Sequence, residues 1–390
     1  MGKTKFRIVS STFLVCAIWY TIYRPLVPGK GPGGAINLRS DHREGGLTRN
    51  EYIKAKSFID TEISKSSSTR VPEFLEVYYQ YDMSGKTALL DLLSYLYTNQ
   101  IQLPLFEDRL ASPTVNKPGP KICVSVVSAR RPRSQFTYLL QTISGLLNRM
   151  NYKKYKDLVY IHVFNVDNQP SEHKETDITR PLLPTTDLKV PIETEADFPV
   201  QTHYHENRDK AEIIRKMSGI GCEYPIVLAD DALATNDWVD SVLLAIKQIE
   251  SQSKGIEWFM VRLFTARSVY PFQKTAGLND YDQEFGAVAL LINPRYTEAF
   301  AEELDNVVKR TIKAKNHALH VPTDHMAERF SRDHGLKVWS FEPVIFQHTG
   351  AYSCVTNRPV NAGTVGQWFM SSKRFDADKQ PIKFNRAFWP

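Results

Sequence analysis

The amino-acid sequence predicts an α/β protein built on a mainly parallel β-sheet, with helices covering both faces of the sheet. From residue 121 onward, short apolar segments typical of strands alternate with longer segments whose apolar residues recur at helical spacing. Such alternation favours parallel strands, because each parallel connection has to cross over the sheet and usually does so as a helix. The 390-residue chain is 42% hydrophobic, which is sufficient for a large buried core.

The predicted elements follow one another in order along the chain. Strands are expected at KICVSVVSA (121–129), LVYIHVFNV (158–166) and YPIVLADD (224–231), with further apolar segments at GIEWFMVRLF (255–264), EFGAVALLINP (284–294) and LKVWSFEP (336–343). Helices are expected at SQFTYLLQTISGLLNRM (134–150), RDKAEIIRKMSG (208–219), DWVDSVLLAIKQIE (237–250) and TEAFAEELDNVVKRTIKA (297–314). Together they predict one folded domain over residues 118–390.

An uncharged apolar run at residues 8–23 precedes this domain. Basic residues flank the run, with Lys3, Lys5 and Arg7 on its N-terminal side. This pattern predicts a transmembrane signal anchor with residues 1–7 in the cytosol and the rest of the chain on the lumenal side of a Golgi or endoplasmic reticulum membrane. A cleaved signal peptide and an ordinary buried helix are the alternatives.

Residues 24–117 are expected to connect the anchor to the folded domain as a flexible stalk followed by a helical stem. The stalk prediction rests on the Pro/Gly-rich composition of RPLVPGKGPGGAINLRSDHREGG, which cannot form a core. The stem prediction rests on the helical spacing of leucines in GKTALLDLLSYLYTNQ.

Charge and cysteine content exclude several classes of protein. The net charge of +6, from 49 basic and 43 acidic residues, is too small and too scattered to indicate nucleic-acid binding. Of Cys123, Cys222 and Cys354 at most two can pair, and their spacing fits no zinc motif. Cys123 lies within a predicted strand, where a small buried hydrophobic side chain is expected.

Polar residues follow three of the predicted strands. Ser128, Arg130 and Arg131 follow the first strand, Asn165 and Asp167 the second, and Asp230 and Asp231 the strand that begins at residue 224. Ligands of open α/β sheets bind beyond the carboxyl ends of the strands, so these side chains are expected to line one crevice.

The adjacent carboxylates Asp230 and Asp231 raise each other's pKa unless a cation neutralises them. A divalent ion such as Mn²⁺ or Mg²⁺ would do so and would bridge the phosphates of a nucleotide. The alternative is that Asp231 begins or caps the following helix. The sequence contains no P-loop, dinucleotide-binding or α/β-hydrolase motif, so sugar-nucleotide chemistry remains.

Six motifs occur in an order that resembles a known family. They are VVSARRPRSQFTYLLQTISGLL, FNVDNQPSEHKE, YPIVLADDAL, EFGAVALLINPRY, VPTDHMAERF and FEPVIFQHTGAYS. Together they resemble the GPI-glycan N-acetylgalactosaminyltransferases and, more distantly, the N-acetylglucosaminyltransferase IV enzymes. The resemblance covers roughly residues 118–375 and implies a GT-A glycosyltransferase fold with a Rossmann-like sheet.

The resemblance also implies roles for individual residues. Asp231 matches the last acidic position of the family's metal-binding motif and is expected to bind the ion, while Asp230 lies closer to the donor. The first acidic position is Ala229 in this chain, a departure from the family pattern. His348 matches a second metal-side ligand or diphosphate contact; the alternative is a histidine that only caps the end of a strand.

Asp324 matches the family's acidic residue at the head of a helix and is expected to act as the catalytic base. The alternatives are that Asp324 only caps this helix, or that the neighbouring His325 is the base.

The resemblance also places Asn165, Asp167 and Gly286 at the donor. Arg130 and Arg131 are expected to bind its uracil or diphosphate, because a guanidinium forms paired hydrogen bonds to phosphate; the alternative is a solvated basic turn. Ser128, at the end of the first strand, is the remaining donor-binding candidate.

The resemblance thus implies an inverting, metal-dependent glycosyltransferase that moves a hexose or N-acetylhexosamine from a UDP donor. The expected acceptor is a glycan or glycolipid hydroxyl, with the GPI glycolipid as one candidate. Animal members carry an inserted pair of membrane spans that this chain lacks, so access to a membrane-embedded acceptor would depend on the N-terminal anchor. One alternative is a catalytically silent relative that binds nucleotide or glycan. Another is a secreted α/β protein unrelated to nucleotide sugars.

Overall fold

The structure is a computed structural model. It describes residues 103–111, 119–131, 138–188, 203–252, 256–264, 277–279, 287–314, 321–342, 344–348, 352–353 and 358–359, together with scattered positions between 88 and 101. The predicted anchor, the stalk, Gly286 and Cys354 lie outside the described residues. Among the residues described, no helix combines the length and the hydropathy of a bilayer-spanning segment.

The central sheet contains eight described strands in the order β3-β2-β1-β4-β8-β6-β9-β7. Their bounds are β1 (Ile122–Ser128), β2 (Val159–Asn165), β3 (Thr185–Asp187), β4 (Tyr224–Ala229), β6 (Trp258–Arg262), β7 (Gly277–Asn279), β8 (Ala289–Ile292) and β9 (Lys337–Glu342). Two smaller described sheets pair β5 (Ala232–Ala234) with β10 (Phe346–His348), and β11 (Tyr352–Ser353) with β12 (Arg358–Pro359).

The described helices lie between these strands. They are α1 (Tyr138–Asn148), α2 (Tyr152–Tyr155), α3 (Lys174–Thr179), α4 (His203–Gly219), α5 (Trp238–Gln252), α6 (Thr297–Ala314) and α7 (Thr323–Asp333). The predicted α/β alternation is therefore confirmed.

The sheet is mixed rather than uniformly parallel. Strands β3, β2, β1 and β4 are mutually parallel neighbours, and β6 and β9 are also parallel. Strand β8 runs antiparallel to both β4 and β6, and β7 runs antiparallel to β9. The first four strands therefore deliver their carboxyl ends to one edge of the sheet, as the sequence predicts.

Alternating side chains of the central strands fill a core on each face of the sheet. Ile226 and Leu228 of β4 pack in a cluster with Ile143 of α1 and Val242 of α5, all of them buried. Val227, which lies between them, packs instead with Phe300 of α6 and Phe330 of α7. This follows from the two-residue period of a strand, and it explains why the sequence of β4 is continuously apolar.

Cys123 and Cys222 form a disulfide with a Cα–Cα distance of 6.0 Å. The expectation that Cys123 is only a small buried hydrophobic residue is therefore wrong, although its side chain is fully buried. The bond connects the start of β1 to the residues just before β4, because Ile122 and Tyr224 are paired neighbours in the sheet. The two strands that carry most of the candidate site are thus linked at the end opposite to it.

Candidate functional site

Asp230 and Asp231 lie in the turn that follows β4, and both are buried. The amide of Asp230 donates a hydrogen bond to the carbonyl of Val127 in β1 at 3.1 Å. The hydroxyl of Thr142 in α1 donates to the carbonyl of Asp230 at 2.6 Å. The next strand, β5, begins at Ala232, whereas helix α5 begins only at Trp238. Asp231 is therefore not the cap of α5, and this alternative from the sequence is wrong.

The guanidinium of Arg131 contacts both carboxylates. Its Nη2 atom lies 2.6 Å from Oδ1 of Asp230 and 3.1 Å from Oδ2 of Asp231. All three side chains are nearly inaccessible, with 6%, 5% and 7% of their areas exposed. The guanidinium carbon also lies 4.5 Å from the centre of the Tyr138 ring, within the range of a cation–π contact. A side chain that the sequence assigns to the donor thus holds the acidic pair together.

His348 lies on the other side of Asp231. Strand β10 pairs with β5 so that His348 is opposite Ala232, and its Nε2 atom is 3.0 Å from Oδ2 of Asp231. Burial favours a raised pKa for Asp231, but the charges of His348 and Arg131 outweigh burial and hold that pKa well below its usual range. Asp231 therefore stays ionised, which is the form that can bind a cation.

Ser128 and Asn165 belong to a buried hydrogen-bond chain that includes His173. The Ser128 hydroxyl donates to Oδ2 of Asp230 at 2.7 Å and lies 3.4 Å from Nε2 of His173. Nδ1 of His173 is 3.1 Å from Oδ1 of Asn165, and the Asn165 amide donates to Oδ1 of Asp187 at 2.8 Å. Both predicted residues thus support the acidic pair from the first and second strands.

His173 is a residue that the sequence analysis did not identify. It lies in the connection between β2 and α3, and burial lowers its pKa to about 4, so the imidazole is neutral at neutral pH. Its position in the sequence carries no periodic signal, because the 3-10 helix Pro170–Glu172 before it and helix α3 after it are too short to show one. Only the fold brings it to the end of β1.

Arg130 and Asp167 stabilise the turns at the ends of β1 and β2. Oδ2 of Asp167 accepts a hydrogen bond from the Arg130 amide at 2.9 Å, and Oδ1 accepts one from the Gln169 amide at 2.8 Å. The Arg130 guanidinium forms an ion pair with Glu172 and a hydrogen bond with Gln169 at 3.0 Å. These residues lie beside the predicted crevice, and the contacts described for their side chains are with other residues of the turns.

Asp324 lies in the first turn of α7 and is partly buried. The N-cap of this helix is Pro322, which has no side-chain acceptor, and Oδ1 of Asp324 accepts from the adjacent His325 amide at 2.9 Å. The helix start is held elsewhere, since the Thr323 hydroxyl donates to Oδ1 of Asn207 at 2.7 Å. One turn later Glu328 pairs with the buried Arg262 of β6 at 2.9 Å. Asp324 therefore lies on a helix whose first two turns are held by contacts with buried residues.

The donor atoms at Asp231 and His348 suit a divalent ion. Within the described part of the chain, no group of three or more His, Cys, Asp or Glu side chains is arranged to hold a metal. A carboxylate and an imidazole 3.0 Å apart nevertheless match two adjacent ligands of Mn²⁺, and such ions usually take their other ligands from phosphates and water. The residues present fit an ion that binds together with a nucleotide.

Comparisons with solved structures return glycosyltransferases. GlyE from Streptococcus pneumoniae TIGR4 is 14% identical with a TM-score of 0.33, and the match covers 57% of this chain and 45% of GlyE. The galactosyltransferase LgtC, solved with donor and acceptor sugar analogues, is 13% identical with a TM-score of 0.34, covering 55% of this chain and 72% of LgtC. The chain thus spans less than half the length of GlyE. No curated protein sequence matches it at a significant level.

The family comparison agrees with the motif order. The family model for GPI-N-acetylgalactosamine transferase PGAP4 matches residues 122–360, which is more than half of the chain. This range runs from the first residue of β1 to the end of β12 and contains Arg131, Asp230, Asp231, Asp324 and His348. The resemblance predicted from the six motifs is confirmed, and the chain belongs to the GPI-N-acetylgalactosamine transferase family of glycosyltransferases.

Proposed function

We propose that the protein transfers a hexose or N-acetylhexosamine from a UDP donor to a hydroxyl of a GPI glycolipid or a related glycan, with inversion at the anomeric carbon. The observation that supports this most is the grouping of Asp230, Asp231, Arg131 and His348 beyond the carboxyl ends of β1 and β4. In open α/β sheets this is where nucleotide ligands bind. Membership of the GPI-N-acetylgalactosamine transferase family supports the choice of acceptor.

In this proposal Asp231 and His348 hold Mn²⁺ or Mg²⁺, with Asp230 on the donor side. When bound, such an ion supplies positive charge that stabilises the diphosphate leaving group. Ser128, Asn165 and His173 keep the Asp230 carboxylate in place through the buried hydrogen-bond chain. Arg130 and Asp167 fix the turns that border the nucleotide.

Asp324 is assigned the catalytic base. Its carboxylate takes the proton of the acceptor hydroxyl as that oxygen forms a bond to the anomeric carbon. The bond between this carbon and the diphosphate oxygen breaks on the opposite face, which inverts the configuration. The anchored start of α7 supports this role, because a base has to be held within hydrogen-bond reach of the acceptor.

The proposed location is the lumen of the Golgi or endoplasmic reticulum, with the chain attached to the membrane by residues 8–23. The disulfide between Cys123 and Cys222 supports a lumenal domain, since such bonds persist in oxidising compartments and are rare in the cytosol. The lumenal face is also where an anchored domain would meet a membrane glycolipid.

A second candidate is a silent relative that binds nucleotide or glycan without turnover. Two observations favour it: Ala229 replaces the first acidic residue of the motif, and Arg131 is in contact with both remaining carboxylates. A lost carboxylate weakens a site that depends on negative charge to attract the divalent ion.

Purified full-length protein, assayed with Mn²⁺, UDP-N-acetylgalactosamine and a GPI glycolipid, separates the two candidates. We expect slow donor hydrolysis and faster transfer for the wild type. Asp231→Asn is expected to reduce both by at least about 100-fold, because metal stabilisation of the leaving group contributes several kcal/mol. The matched control is Asp237→Asn, an exposed site with positive φ that asparagine tolerates. Full activity in Asp231→Asn would refute the metal-ligand role, and binding without turnover in the wild type would favour the silent relative.

A further inference from the structure

The acidic pair and Arg131 form a buried cluster of three charges. The pair carries two negative charges, and the guanidinium contributes one positive charge within 2.6 Å of Asp230 and 3.1 Å of Asp231. A buried cluster of this kind is stable only if its charges are closely paired, because each ion has lost its hydration. Arg131 therefore provides the compensation that allows two adjacent aspartates to be buried at the end of β4.

Arg131 and a divalent ion would share the carboxylate of Asp231. Oδ2 of Asp231 is already the acceptor for Nη2 of Arg131 and lies 3.0 Å from Nε2 of His348. A divalent ion bound between Asp231 and His348 would bring two more positive charges close to the guanidinium. Like charges this close in a buried site repel strongly.

We propose that Arg131 is a built-in competitor of the divalent ion, which holds the acidic pair until the ion displaces it. The inference rests on the proposed function only in taking Mn²⁺ or Mg²⁺ as the ion that binds at Asp231. It assigns to Arg131 a control of metal affinity that differs from the donor contact predicted by the sequence. A guanidinium released from the pair is then available for the negatively charged diphosphate of the donor.

This competition makes metal binding and donor binding cooperative. Metal alone has to break two charge-assisted hydrogen bonds of Arg131, which lowers its affinity. When the donor is also present, its diphosphate offers the guanidinium a new anionic partner. The protein would therefore bind the ion weakly by itself and much more tightly as the complex with a nucleotide diphosphate.

The test measures Mn²⁺ affinity in the full-length protein without any UDP-sugar, by electron paramagnetic resonance of the free ion. Arg131→Gln removes the competing charge and keeps hydrogen-bonding capacity, so its Kd for Mn²⁺ should fall by at least about tenfold. The matched control is Arg310→Gln, the same change in helix α6, where the exposed guanidinium pairs with Glu303 at 2.9 Å. Its Kd should stay within about twofold of the wild type.

Thermal unfolding provides a second readout for the same proteins. Arg131→Gln should melt at a lower temperature than the wild type without metal, and its stabilisation by Mn²⁺ should be larger than that of the wild type. If Arg131→Gln does not fold, the Kd for Mn²⁺ is measured on Arg131→Lys instead. A single ammonium group cannot bridge two carboxylates as a planar guanidinium does, so a smaller decrease in Kd is expected.

An unchanged or increased Kd in the folded Arg131→Gln protein, or in Arg131→Lys if only that variant folds, would overturn the proposal. The transfer assay on the wild type keeps this result separate from the proposed function. Normal transfer combined with an unchanged Kd counts against the competition alone. Absence of transfer combined with the expected decrease in Kd counts against the function and leaves the competition supported.

Discussion

Helix α7, which carries Asp324, is held at its start by contacts of neighbouring residues. Thr323 anchors the start of α7 to Asn207, and Glu328 anchors the next turn to Arg262 in β6. Both anchoring contacts involve buried side chains, namely Thr323, Asn207 and Arg262. Replacing the Asp324 carboxylate should therefore alter chemistry with little effect on the fold.

Asp324→Asn is expected to reduce transfer by at least about 100-fold, because a positioned general base typically contributes a factor of 100 to 10,000. Donor binding should stay within about twofold of the wild type, since in the proposal the carboxylate contacts the acceptor. Transfer kinetics and UDP-sugar titration measure the two effects. Asp333→Asn, at the exposed end of the same helix, is the control. Normal transfer by Asp324→Asn would require a different base, with His325 as the next candidate.

The residues of the site differ in how far the sequence could predict them. Asp230, Asp231 and His348 were predictable, because strand ends converge and the motif order singles them out. The contact between Arg131 and both aspartates was not, since the direction of a long side chain depends on neighbours such as Tyr138. His173 was missed because its place in a short turn gives no signal of burial.

Among the secondary-structure elements, the pairing of β1 with β4 determines the shape of the site. The two strands are parallel and in register from Ile122 opposite Tyr224 to Val127 opposite Ala229. Their polar ends carry Arg131 and the acidic pair, and their other ends are joined by the disulfide between Cys123 and Cys222. The cross-link therefore stabilises the pairing that brings the three charges together.

Replacing both cysteines, as Cys123→Ala with Cys222→Ala, should lower the free energy of unfolding by about 2–5 kcal/mol, the usual range for a native disulfide. The closed loop is long, with a sequence separation of 99 residues, which in the chain-entropy account favours the upper part of this range. Urea unfolding measures the loss. Reduction with dithiothreitol should destabilise the wild type and leave the double variant unaffected. Equal stability of the two proteins under oxidising conditions would contradict the prediction.

Long elements were easier to predict than short ones. Helix α6 spans Thr297–Ala314, the same residues as the predicted segment, because its helical spacing continues over five turns. Strands β3, β5, β7 and β10 have three residues each, too few for a periodic pattern. The antiparallel insertion of β8 between β4 and β6 was not predicted either, since strand order depends on contacts between distant parts of the chain.

For the molecule as a whole, buried titratable groups make stability depend on pH. Burial lowers the pKa of His162 and of His173 to about 4, below the ordinary value of 6.5. The unfolded chain therefore binds more protons than the native protein between about pH 4 and 6.5, and acid favours unfolding in that range. Burial raises the pKa of Asp209, so the native protein retains a proton that the unfolded chain has already released. This carboxyl group therefore makes stability fall as the pH rises above the pKa of an unfolded aspartate.

The contribution of one histidine can be isolated by comparing the wild type with His162→Gln. His162 is bonded to Tyr160 and Thr186, and glutamine can replace both hydrogen bonds without titrating. Between pH 6.5 and 4 the wild type should lose about 3 kcal/mol more stability than the variant, from a pKa decrease of about 2.5. Urea unfolding across this pH range measures the difference. Parallel stability curves for the two proteins would contradict the assignment.

For the whole molecule, the alternation of strand-like and helical segments predicted the fold class, and the order of the motifs predicted the family. The mixed character of the sheet did not follow, because an apolar segment such as the one that forms β8 gives no indication of its direction. The described residues from Arg49 onward belong to one compact unit, so the fold and the candidate site share the same core.

The pairing of β5 with β10 has a consequence for how the site is completed during synthesis. Arg131, Asp230 and Asp231 emerge from the ribosome well before His348, which lies 117 residues beyond Asp231 and joins it through a ribbon of only three residue pairs. A nascent chain that ends before residue 346 contains the three residues of the salt-bridged cluster but lacks the imidazole. The proposed ion site is therefore complete only once His348 has been synthesised and paired with β5, and a partial polypeptide without it would lack the nitrogen ligand offered to the metal.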